Sequence, residues 1–74
     1  MSRQHAVVLV DSTSHALYIE KLVRAKGFEC KLIPVPRHLS SDCGVCVRIL
    51  GEDAGPIESL LQEANIQFQA IEAV

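Results

Sequence analysis

Aromatic residues are nearly missing from this chain of 74 residues: there is no Trp, one Tyr and two Phe, 4% in all. A nucleic-acid surface needs stacking faces and a cationic stripe. The stripe is missing as well. Seven Lys and Arg stand against nine Asp and Glu, for a net charge of −2, and the basic residues (Arg3, Lys21, Arg24, Lys26, Lys31, Arg37 and Arg48) are scattered along the chain. No nucleic-acid partner is expected. Long apolar runs are also lacking. The longest, Ala6 to Val10, falls far short of the roughly 20 residues that cross a bilayer, so no membrane partner is expected. No charged segment followed by an apolar stretch opens the chain, so no signal peptide is expected and the cytoplasm is the predicted location. Cysteine is present three times, as Cys30, Cys43 and Cys46. An odd count without a secretion signal argues against a disulfide scaffold.

What is present is a globular composition, 49% hydrophobic and 22% charged, which predicts one domain over residues 1–74. A domain this short buries only about 60% of its unfolded surface, so its core must be dense or shared. His5 to Val10 is a β-branched run that reads as a central strand buried on both faces. Ser12, Thr13 or Ser14 then offers a helix N-cap, and Ala16, Ile19, Leu22 and Val23 follow at helical spacing. Gly27 closes this helix, and Glu20 can pair with Arg24 one turn on.

Alternation predicts a second strand over residues 28–33, with Pro34 and Pro36 marking its end, then a loop over 37–42 and a third strand over 45–49. Residues 51–55 read as a turn-rich linker. Gly55 and Pro56 suit the N-cap and first position of a second helix, whose stripe is Ile57, Leu60, Leu61 and Ala64. Ile66, Phe68 and Ala70 alternate with Gln67 and Gln69 as a fourth strand. The order β-α-β-β-α-β predicts an α+β, ferredoxin-like fold, with a four-stranded antiparallel sheet and two helices on one face. In that topology the end of the first strand (Asp11, Ser12) meets the start of the third (Cys43, Gly44).

Cys43-Gly44-Val45-Cys46 is a CxxC. In a strand, residues three apart lie about 10 Å from each other on opposite faces, whereas a disulfide needs Cα atoms within about 7 Å. The two can bond only across a turn, which Gly44 permits. Zinc needs four ligands, and the spare candidates, Cys30, His15 and His38, do not make a recognisable set; no metal and no cofactor is expected. Cys30 shares the parity of Phe28 and Leu32 and reads as core. Cys43 has the better surroundings for nucleophilic chemistry. The first helix's N-terminus lies at the same sheet edge, and Arg37, His15 and His38 belong to the same two loops; such neighbours favour thiolate. Ser12, Thr13, Ser40 and Ser41 can donate hydrogen bonds to a sulfur-borne anion. Each of these residues also has a plainer role, as cap, turn or solvated side chain.

Asp11-Ser12-Thr13-Ser14-His15-Ala16-Leu17, Glu20-Lys21-Leu22, Lys31-Leu32-Ile33-Pro34-Val35-Pro36-Arg37 and Leu39-Ser40-Ser41-Asp42-Cys43-Gly44 resemble the selenium/sulfur carrier protein-like family of small bacterial domains. The resemblance runs over nearly the whole chain. It implies a non-enzymatic carrier that holds sulfur or selenium on Cys43, as persulfide or selenosulfide, between a donor enzyme and an acceptor protein. Cys46 departs from the family's single Cys-Gly pattern and is a candidate resolving thiol. Two other readings compete: a thiol-disulfide switch of Cys43 and Cys46, and a non-catalytic dimeric ligand-binding or interaction module. The last rests on Val7, Leu9, Ile33, Val35, Cys46 and Leu50, which share the parity opposite the helices. An open face that apolar is expected to be covered by a second copy in a two-fold homodimer.

Overall fold

The computed structural model describes residues 4–39 and 44–74. Its elements are β1 (His5–Leu9), α1 (Thr13–Ala25), β2 (Cys30–Pro34), β3 (Val45–Leu50), a 3-10 turn (Gly51–Asp53), α2 (Ala54–Glu63) and β4 (Ala70–Ala73). The strands form one sheet in the order β2-β3-β1-β4, antiparallel at every pairing. This is the expected ferredoxin-like α+β arrangement.

The helices cover one face. Ala16, Ile19 and Val23 of α1 and Ile57 and Leu61 of α2 are fully buried against Ala6, Val8, Val47 and Ile49 of the sheet. Each such large aliphatic side chain contributes about 1.5–3 kcal/mol by leaving water. Ser12 caps α1, its Oγ accepting from the His15 N–H at 3.3 Å. Both helices end in the same way. Gly27 (φ +89) and Asn65 (φ 57) take the left-handed conformation. The next amide then folds back, Phe28 N–H onto the Val23 carbonyl at 3.2 Å and Ile66 N–H onto the Leu61 carbonyl at 2.9 Å.

Three boundaries differ from the sequence reading. The second helix starts earlier, with Asp53 as N-cap rather than Gly55. Pro56 is tolerated there because the first-turn N–H groups have no intrahelical acceptor. The second strand begins at Cys30 rather than Phe28, because Phe28 completes the helix cap. The fourth strand is Ala70–Ala73 rather than 66–70. Its first partner is Leu9, the last residue of β1, so the chain before Ala70 has no ladder to join. Ile66 and Phe68 pack on the helix-side core instead.

β1 is buried on both faces, with Val7 and Val8 each fully enclosed. The face away from the helices carries a second apolar cluster. Val7, Leu9 and Cys46 are buried within the single chain, packed with Ile33, Val35, Leu39 and Ala70, and Leu50 is buried too. Their burial requires no second copy, because Val35 and Leu39, from the segment after β2, lie against them. Among the described residues, no helix is long and apolar enough to cross a membrane.

Candidate functional site

The β1–β3 pairing sets His5 opposite Leu50 and Val8 opposite Val47. The pairs end at Val8–Val47, and Asp11 and Gly44 each lie three residues beyond, at the same end of the sheet. Gly44 is held there from the β2 side, where its carbonyl accepts the Val35 N–H at 3.1 Å, one step beyond the Pro34–Val45 pair. The residue following Cys43 is thus tied to β2 at the end of the sheet from which α1 starts. Ser40, Ser41 and Cys43 lie outside the described residues.

At that edge Ser12 and His15 form a local pair, with Ser12 Oγ 3.3 Å from His15 Nδ1. Both are half-buried, whereas Thr13, Arg37 and Gly44 are exposed. The Ser12 hydroxyl is occupied by the cap. Arg37 sits in a turn closed by the Leu39 N–H donating to the Pro36 carbonyl at 3.0 Å. The helix start supplies a partial positive charge, so the edge suits an anion carried by a neighbouring side chain.

The other two thiols are placed differently. Cys46 is fully buried in β3, opposite Ile33, with Sγ 4.0 Å from the Pro34 carbonyl. Val45–Leu50 is a continuous strand, so no turn brings Cys46 back towards Gly44. Cys30 belongs to the helix-side core, as its parity indicated. Its Sγ–H donates to the Glu20 carbonyl at 3.5 Å. Burial pushes its thiol above the ordinary range, with nearby Arg24 opposing and Glu20 adding to the shift. Among the described residues no group of three or more His, Cys, Asp and Glu is placed to hold a metal ion.

A grouping that the sequence order hides lies at the other end of the sheet. A cleft of about 390 Å³ is lined by His5, Arg24, Lys31 and Arg48, together with Glu29, Cys30 and Ile49. The basic residues read as scattered, yet three of the seven meet here. The signal that finds them is strand register, which sets Lys31 directly opposite Arg48.

A family model described as "Putative Se/S carrier protein-like" matches residues 5–72. That span begins with β1 and ends inside β4, and so takes in every helix and the whole edge around Gly44. No curated protein and no solved structure gives a significant match.

Proposed function

Because this chain belongs to the Se/S carrier protein-like family, we propose that it carries zero-valent sulfur or selenium on Cys43 in a reducing cytoplasm, between a donor enzyme and an acceptor protein. The observation that carries the reading is the position of Gly44 at the end of the sheet from which α1 starts, where the Val35 hydrogen bond ties it to β2. The donor presents the atom as its own persulfide or perselenide. The Cys43 thiolate attacks the terminal atom, a new S–S or S–Se bond forms, and the donor's bond to that atom breaks to release the donor thiolate. The acceptor nucleophile repeats the displacement on the loaded protein. No net oxidation occurs and no general base is needed, since the donor makes the activated atom.

The dithiol switch finds less support. Its second thiol is enclosed at 0% exposure on a straight strand, and its attack on Cys43 would require β3 to open. The interaction-module reading loses part of its motive, since Val7, Leu9 and Cys46 are already covered within one chain.

The test is intact-protein mass spectrometry after incubation with a cysteine desulfurase and cysteine, followed by peptide mapping. One added sulfur on Cys43 is expected, retained in Cys46→Ser and lost in Cys43→Ser. An adduct that survives Cys43→Ser refutes the assignment.

A further inference from the structure

The cleft at the far end of the sheet is not needed by a carrier thiol. It lies about 20 Å from the Asp11–Gly44 edge, six residues along β1 at ~3.3 Å each. Three basic residues, Arg24, Lys31 and Arg48, line it against one acidic residue, Glu29, on a protein whose net charge is −2. Two further observations indicate that this charge is placed for a ligand.

The first is the Lys31–Arg48 pair. Residues directly opposite on antiparallel strands have Cβ atoms about 5 Å apart, and like charges there repel. Next in the same row comes Val7, and only then Glu72, too far to neutralise either. Among the described residues neither Lys31 nor Arg48 is in an ion pair. The second is Arg24. Its guanidinium is braced by the Glu20 carboxylate at 3.5 Å and by the Cys30 carbonyl at 3.2 Å, yet its side chain is 63% exposed. A guanidinium has five N–H donors, so a braced one still has donors to offer an oxyanion.

We propose that this cleft binds the phosphoryl group of a small phosphorylated molecule, with Arg24, Lys31 and Arg48 as its ligands. Convergent cations match a dianion better than a single carboxylate, and guanidinium groups fit phosphate oxygens in pairs. The volume exceeds a bare phosphate and falls at the small end of ligand clefts, which leaves room for a short organic portion. The proposal is independent of the carrier chemistry at Cys43.

The test is amide NMR titration of the full chain at constant ionic strength with inorganic phosphate, glycerol 2-phosphate, citrate and chloride. Saturable shifts confined to residues around His5, Arg24, Lys31 and Arg48 are expected with the two phosphates, glycerol 2-phosphate binding the more tightly, and no saturation with chloride. Arg48→Gln and Lys31→Gln should each weaken binding by about fivefold or more, while Lys21→Gln, on the exposed side of α1, leaves it unchanged. A thermal shift by phosphate, saturating over the same concentrations, provides a second readout. If Arg48→Gln fails to fold, Lys31→Gln decides. Tighter binding of citrate overturns the phosphoryl assignment, and shifts that fail to saturate, or that survive both variants, overturn the site.

Discussion

Cys46 provides a direct test of how firmly β3 is held. Its sulfur is fully enclosed, between Ile33 on one neighbouring strand and the register of β1 on the other. An alkylating reagent can reach it if Val35 and Leu39 lift off the outer cluster or if β3, an interior strand, leaves a partner. Val35 is fastened to Gly44 by its own hydrogen bond and the cluster draws on all four strands, so the expected route is loss of the domain. A core in a domain of this length supplies no more than about 3–5 kcal/mol of net stability. With a factor of ten for each ~1.4 kcal/mol, alkylation of Cys46 should run about two to four powers of ten slower than that of an unfolded-peptide thiol. The assay is pulsed iodoacetamide labelling in native buffer, with each cysteine quantified by mass spectrometry across a urea series. The logarithm of the Cys46 rate should rise with urea at the slope of global unfolding. A native-state rate within tenfold of the peptide thiol refutes the reasoning and returns Cys46 to candidacy as a resolving thiol.

Three further outcomes follow from the same structure. Gly27→Ala, at φ +89, should lower stability by about 1–2 kcal/mol; the urea midpoint at an unchanged m-value reports it. Ser12→Ala removes the cap of α1 and should cost about 1 kcal/mol, read by the same titration. Cys30 holds its proton more tightly when folded than when unfolded. Its contribution to stability is therefore complete below the ordinary thiol pKa and is lost as pH rises from there towards the raised folded value; Cys30→Ala should flatten that alkaline decline in urea midpoints measured across the range.

Most of the architecture could be read from spacing. The 3.6-residue stripe of Ala16, Ile19 and Val23 and the β-branched run at Val7 to Val10 both report burial directly, and both were found where the pattern put them. Boundaries were less legible, because caps and ladders are set by partners rather than by local preference. Ile66 and Phe68 alternate like a strand, but the first paired residue of β4 is Ala70, opposite Leu9, and the Ile66 N–H is taken up by the end of α2 instead. At the candidate edge, sequence order identified the cap at Ser12. It did not reveal that Val35 and Leu39 turn back over the outer apolar cluster. Nor did it reveal the gathering of Arg24, Lys31 and Arg48, which are far apart in sequence and become neighbours only once the β2–β3 register is fixed.

The Val35–Gly44 hydrogen bond completes the β2–β3 ladder before the connecting stretch begins. The sheet's alignment is consequently settled without help from residues 36–43, and, so long as the apolar side chain of Leu39 is kept on the outer cluster, that stretch can lengthen, shorten or exchange composition while leaving both cores in place. A scaffold of this kind separates the evolution of chemistry from the upkeep of the fold. Transplanting the stretch from one family member to another should carry partner choice with it, while the recipient's strands stay aligned.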